Sequence, residues 1–302
     1  MTYAFTPGRP FTENFRTVAA EQIERAVAVL RERPAGLHEA IHDARKSFKR
    51  LRALYRLVAC DAALFQKQEN ARIRDMARNL STVRDAAALV ENAKHLREHA
   101  ASEEQRVALD KVCSTLLARR DRIAECETDL DRKICVTITG CGQALSALAH
   151  VSFHDGRRKS AARLENGWRR ALERAARARA ACATGIDARL FHELRKRAQD
   201  YRMHLALLRE VWPSAMQAKR TETGELVDVL GHLNDLAALT SLIDEEPELA
   251  GDSQDQTHLL SAIITRQEEL RQEALQRAQA VFLDEPERES RTVELLWLEA
   301  SR

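Results

Sequence analysis

The sequence predicts an all-α fold, and three features carry that expectation. Alanine, leucine, arginine and glutamate dominate, while 302 residues include only 10 glycines and 6 prolines, a composition suited to helices. Apolar residues recur at about 100° per residue through most of the chain, the period of a helix with one buried face. A basic helical pattern, HDARKSFKRLRALYRL from His42, returns 150 residues later as HELRKRAQDYR from His192. That period is far too long for a solenoid. The chain therefore reads as two similar four-helix halves, related by internal duplication at an offset of 150 and by a pseudo-two-fold axis. Residues 1–12 are an irregular lead-in, 13–153 the first half and 154–302 the second.

Taken in order, residues 13–32 read as a helix that stops before Pro34 and Gly36. The basic helix covers about 37–60. A third helix covers 64–98, with Ile73, Met76, Leu80, Val83 and Leu89 inward, and residues 102–132 are helical around Val107, Leu109, Val112, Leu116 and Ile123. Residues 134–153 are ambiguous: a β-branched run precedes Gly140 and Gly142. A lone strand would lack a partner, so a helix disturbed near Gly140 is expected. His154, Asp155 and Gly156 join the halves. The second half continues with helices at about 157–181, 186–211, 214–245 and 255–283, then a short one ending at Trp297. Pro247, Gly251 and Asp252 mark a loop.

The basic helix carries two stripes. Leu37, Ile41, Ala44, Phe48, Leu51 and Tyr55 form a core face. His38, His42, Arg45, Lys46, Lys49, Arg52 and Arg56 fall within an adjacent arc of about 120°. Burying unpaired charges is too costly, so this row faces outward over about 27 Å at about 1.5 Å per residue. Like charges three or four residues apart destabilise a helix by about 0.2–0.5 kcal/mol per pair, a cost that a bound polyanion would remove. The row repeats: His42, Arg45, Lys46 and Arg52 align with His192, Arg195, Lys196 and Arg202, and LSTVRDAAAL at 80–89 aligns with LGHLNDLAAL at 230–239. A merely solvated face would not need the same order twice.

Arginine offers bidentate forks to phosphate oxygens, lysine a compact charge, and histidine a donor whose ordinary pKa of about 6.5 makes it tunable near neutrality. The candidate anion-binding residues are thus His42, Arg45, Lys46, Lys49, Arg52 and Arg56 in the first half and His192, Arg195, Lys196 and Arg202 in the second. Arg78, Arg163 and Arg170, with Arg169 and Arg174, are further candidates. Arg84-Asp85 and Asn234-Asp235 recur at one position and read as structural.

The paired motifs HDARKSFKRLRALYRL and HELRKRAQDYR, each followed by LSTVRD or LGHLND, resemble the CHAD family, the conserved-histidine α-helical domain. The resemblance spans roughly 15–302. It implies an all-α fold of two similar halves that binds inorganic polyphosphate through basic residues on the first helices of each half, with no known catalysis; no cofactor or metal is expected. A role at polyphosphate granules is the associated expectation. The chain departs from the family pattern at three places. Gln199 and Asp200 stand where the first half has Lys49 and Arg50, which weakens the second half as an anion site. Ser81 stands where the family's loop motif usually has glycine. The Glu-x-Glu-x-Lys mark of the triphosphate-tunnel domain that many relatives carry is missing.

Three other functions would use the same residues. HEAIH at 38–42 matches the zincin pattern, with His38 and His42 as ligands and Glu39 as base. Arg45, Lys46 and Lys49 on the same face would repel a divalent cation, and the second copy has Ala188 where His38 would recur. Nucleic acid is the other polyanion. Single-strand binders add exposed aromatic platforms, but aromatics are 5% of this chain, and Phe48, Tyr55 and Tyr201 fall on core faces. An enzyme acting on phosphoanhydrides would need clustered carboxylates for Mg²⁺, and none stands beside the row.

Charge is divided along the chain. Residues 244–302 hold 15 acidic residues against 6 arginines, while residues 157–179 hold nine basic residues and only Glu165 and Glu173. Such a split steers an anion to one region. No run of about 18 apolar residues predicts a membrane span, the N-terminus lacks a signal-peptide layout, and the six cysteines show no paired spacing. A cytoplasmic protein with reduced thiols is expected.

Overall fold

The structure, a computed structural model, describes residues 3–80, 82–126 and 129–302, without the side chains at 82–84, 124 and 126. Among the described residues all regular structure is helical. The order is α1 (Phe11–Glu32), α2 (Leu37–Leu57), α3 (Ala63–Asn79), α4 (Thr82–Glu98), α5 (Glu103–Cys126), α6 (Leu130–His150), α7 (Arg157–Thr184), α8 (Ala188–Leu207), α9 (Pro213–Glu245), α10 (Ser253–Val281) and α11 (Pro286–Ala300), with 3-10 turns at Arg209–Val211 and Pro247–Ala250.

The packing order is the same before and after residue 154. In the first set α1 packs on α2, α2 on α3, α4 on α5, and α6 returns to α1; in the second, α7 packs on α8, α8 on α9, α9 on α10, and α11 returns to α7. The sets join where α2 meets α8, α4 meets α9 and α5 meets α10.

Six helices precede residue 154 and five follow it, more than four per half. The expected helix over 64–98 is two helices: α3 ends at Asn79, where the Leu80 N–H turns back to the Arg78 carbonyl, and α4 begins at Thr82. The matching stretch of the second half, α9, runs unbroken. Ser81 and the side chains of Val83 and Arg84 lie outside the described residues. The helix over 102–132 likewise divides into α5 and α6.

The disturbance expected at Gly140 is absent, and α6 runs straight through it. The Thr137 and Thr139 hydroxyls donate to the Lys133 and Cys135 carbonyls at 2.8 and 3.0 Å, so the β-branched run satisfies itself within the helix. Gly140 serves close packing: a Cβ there would lie 2.6 Å from Met76 Sδ on α3.

The apolar stripe of α2 is the core face. Ile41, Ala44, Phe48, Leu51 and Tyr55 are all buried, as are Phe191, Leu194, Ala198 and Tyr201 on α8. The turn before α2 uses left-handed backbone at Arg33 (φ 49°) and Gly36 (φ 87°), around a proline that cannot continue α1. The lead-in is irregular but fastened. Phe5 is fully buried and its N–H donates to the Leu207 carbonyl at 2.8 Å, while the Tyr3 hydroxyl donates to the Arg50 carbonyl at 3.0 Å. Both motif helices are thus tied to the first residues of the chain.

Among the described residues α9 is the one helix long and apolar enough to cross a membrane. Its apolar residues, Leu226, Leu230, Leu233, Leu236 and Leu239 among them, are buried in the packing against its neighbours.

Helix α7 passes so close to α2 that a Cβ on Gly167 would lie 2.0 Å from the Leu57 carbonyl oxygen. No side chain can yield there, because the obstacle is backbone. Gly167→Ala is therefore expected to lower stability by about 1–3 kcal/mol, the usual range for overpacking. Thermal denaturation checks this, and an unchanged or raised midpoint contradicts the packing described.

Candidate functional site

A groove of about 410 Å³ opens between α1, α2, α8, α9 and the turn after α8. Its cationic lining is Arg25 from α1, Lys46, Lys49 and Arg50 from α2, Arg202 from α8, and Arg209 and Arg220, with His42 beside them and, among the described residues, no aspartate or glutamate. Gln22, Gln199 and Met203 complete the polar and flexible part of the wall. Burial and the neighbouring Arg25 push the Arg50 guanidinium below its ordinary value. The Arg50 head is held by Gln22 Oε1, which accepts from its Nη1 at 3.2 Å, and it lies over the Tyr3 ring. Lys46 pairs with Asp43 at 3.1 Å, but both groups are partly in water, so the pair contributes little.

Four of the candidates from sequence, His42, Lys46, Lys49 and Arg202, line this groove. Arg25, Arg50, Arg209 and Arg220 also line it and were not among them. Arg50 sits on the flank of the α2 row nearest Lys46, a signal that a wider arc would have caught. Arg25 and Arg220 lie outside the repeated motifs, and only the packing brings them in.

The remaining candidates are divided among other surroundings. Arg45 turns to the end of α3, where its Nη1 donates to the Ala77 carbonyl at 2.9 Å. Arg52 is half-buried near Arg56 and Arg74, and both burial and Arg56 lower its pKa. Arg78 is exposed in the last turn of α3, and Lys196 is exposed and 3.3 Å from Glu193. Arg56 donates to Asp200 at 2.6 Å, in a cleft it shares with Arg170, Arg174, Arg197 and His204. That cleft has only about 10 Å³ of free space. The Asp200 carboxylate occupies the centre of the charge there, so the cleft is separate from the groove and largely filled.

Arg163, expected among the anion contacts, is internal. Its side chain is 4% exposed, donates to Asp61 at 2.5 Å and to the His154 carbonyl at 3.3 Å, and lies over the Phe11 and Phe153 rings. Its donors and its face are spent on these contacts, and it holds α7 to the lead-in and to the first half.

His192 lies between Lys196, Arg195 and Asn234. Its Nδ1 is hydrogen-bonded to Asn234 Oδ1. With that oxygen accepting, the hydrogen sits on Nδ1, and Nε2 can donate only after taking a proton. Burial, Lys196 and Arg195 hold the imidazole below its ordinary pKa, while Asn234 and Glu193 work the other way. Asn234 on α9 therefore orients His192, itself a candidate anion contact.

Arg195 and Arg202 lie flat on α9. A Cβ on Gly224 would be 3.3 Å from Cζ, Nε and Nη2 of Arg202 alike, and a Cβ on Gly231 would be 3.3 Å from Arg195 Nη2. An interior glycine costs a helix about 1 kcal/mol relative to alanine, and α9 carries two of them in its middle. Among the described residues, no three His, Cys, Asp or Glu side chains are grouped to hold a metal ion; His38 of HEAIH is exposed in the first turn of α2.

Fold and groove together define a class: an all-helical domain whose two motif helices expose a cationic channel. The chain belongs to the CHAD domain family, which matches over residues 17–244. Among solved structures it is similar to the crystal structure of the CHAD domain from the plant Ricinus communis, at 19% identity and a TM-score of 0.60, over 93% of this chain and 94% of that one. At that identity the likeness concerns the fold. No curated protein matches the chain.

The histidine environment has a direct consequence. In the free protein the His192 titration midpoint, followed by NMR, is expected below about 6.5, and Asn234→Ala should move it further down by removing a group that raises it. A midpoint at or above the ordinary value would contradict the geometry given for His192.

Proposed function

We propose that this chain binds inorganic polyphosphate along the α2–α8 groove, without catalysis. The observation that carries the reading is the lining itself: seven lysine and arginine side chains from four helices and a turn, with no acidic side chain among them. Such a surface attracts any polyanion through counterion release. Its chemistry favours one that is phosphate throughout, because the lining presents no exposed aromatic platform for bases. The one aromatic in the groove, Tyr3, is buried, with its hydroxyl on the Arg50 carbonyl and its ring beneath the Arg50 guanidinium. It offers no face on which a base could stack. Membership of the CHAD family agrees with this ligand. A cytoplasmic chain concentrated at polyphosphate granules is the corresponding cellular proposal.

His192 lies on α8 beyond the groove lining, and a long chain that runs on past Arg202 and Arg195 meets it and gains a pH dependence. A phosphate chain near Nε2 offsets the field of Lys196 and Arg195 and raises the imidazole pKa toward or above its ordinary value. The resulting gain in affinity is fully present below the free-state pKa and is lost as pH rises through the bound-state value.

Binding should be measured with long-chain polyphosphate against single-stranded DNA and RNA of equal phosphate count, across a series of NaCl concentrations. With one phosphate neutralised per groove cation, log K should fall with log salt at a slope of about −5, taking about −0.7 per phosphate for a single strand. Polyphosphate should bind most tightly, and the gain in affinity from pH 8 to pH 6 should be smaller in His192→Gln than in the wild type. A flat salt response, or equal affinity for all three polymers, contradicts the proposal.

A further inference from the structure

Helix α9 places its two interior glycines seven residues apart, and α8 places Arg195 and Arg202 seven residues apart. The helices run antiparallel, so Gly224 meets Arg202 and Gly231 meets Arg195. At Gly224 three atoms of the guanidinium are equidistant from the position of a Cβ, so its plane lies face-on to the helix. Neither arginine makes a hydrogen bond or ion pair among the described residues, and Arg195 Nε is buried without a partner. Two half-buried guanidiniums are thus held by shape alone, with their in-plane donors unspent. The first half differs. Arg45, the counterpart of Arg195, gives a donor to the Ala77 carbonyl. Arg52, the counterpart of Arg202, meets the charge of Arg74 at the position equivalent to Gly224.

Two glycines in the middle of a long helix oppose its stability, so packing of α9 on its own account does not explain them. We propose that Gly224 and Gly231 are positioning residues that seat Arg202 and Arg195 flat on α9 as two fixed phosphate forks matched to an extended phosphate chain. Seven residues at about 1.5 Å each separate the forks by about 10 Å along α8. A compact anion reaches one of them and a linear chain reaches both. A planar fork fixed in advance loses little freedom on binding. A methyl group at either glycine lifts its guanidinium by a few tenths of an ångström and tilts the donors away from a common line. This inference rests on the polyphosphate reading above.

The test uses the full chain with Gly224→Ala, Gly231→Ala and the double variant, each also in an Arg202→Lys or Arg195→Lys background. The probes are long-chain sodium polyphosphate and tripolyphosphate. Alanine favours helix, so the thermal midpoint of each single variant should stay level or rise by a few degrees. Affinity for the long chain should nonetheless fall about three- to tenfold per glycine, and the salt slope should become shallower by up to about 0.7 for each phosphate no longer neutralised. Tripolyphosphate should respond to one of the two glycines but not to both. Lysine has no flat head to seat, so Gly224→Ala should have no further effect in Arg202→Lys, nor Gly231→Ala in Arg195→Lys. Unchanged affinity in the alanine variants overturns the proposal. So does a lowered thermal midpoint, which would make the glycines packing residues, or an equal loss of affinity with lysine in place of arginine. A wild-type chain that fails to bind polyphosphate removes the functional reading as well, whereas binding by wild type and variants alike removes this inference alone.

Discussion

The contact of α2 with α8 is the constraint on which the rest depends. Both helices carry more positive charge than an isolated helix would hold comfortably, and each is kept in place by an apolar face sunk into the core. At their meeting, His204 is buried and hydrogen-bonded through Nε2 to the Ala53 carbonyl at 2.9 Å, and Arg56 reaches Asp200 at 2.6 Å. Phe5 and Tyr3 fasten the same region from the lead-in. Hydrophobic burial, at roughly 25 cal/mol per Å², outweighs repulsion of a few tenths of a kcal/mol between neighbouring cations. The cations are therefore placed by the core rather than by their own preferences.

That placement divides the row by function. One flank of α2, with His42, Lys46, Lys49 and Arg50, faces the groove. Arg45 serves the end of α3, and Arg56 is bound to Asp200. Asp200 stands where the first half has a basic residue. Its carboxylate fills the centre of an arginine cleft that would otherwise hold four like charges around a buried histidine. The substitution that weakens the second half as an anion surface thus satisfies the α2–α8 contact. The groove draws most of its charge from the first half, with Arg202 as the contribution of α8.

Much of this was legible in the sequence. The helical period marked the core face of α2, and Ile41, Ala44, Phe48, Leu51 and Tyr55 are all buried. The repeated His-x-x-Arg-Lys order singled out the two helices that meet at the groove. The misses have specific causes. Gly140 carries the composition of a break, but close approach of Met76 explains it. The division between α3 and α4 falls in a stretch whose apolar period continues across it. Arg163 looks like its exposed neighbours in sequence, since Asp61, Phe11 and Phe153 reach it only through the fold. Arg25 and Arg220 were invisible for the converse reason: each is an ordinary helix cation until tertiary packing makes it a groove wall.

The central claim is that α2 and α8 form one site rather than two. Isothermal titration calorimetry with long-chain polyphosphate tests it most directly, on wild type, on Lys46→Glu/Lys49→Glu and on Arg202→Glu. A single shared groove predicts unchanged stoichiometry in all three proteins, with weaker affinity in both variants and the larger loss on the α2 side. Halved stoichiometry with undiminished residual affinity in either variant would contradict it.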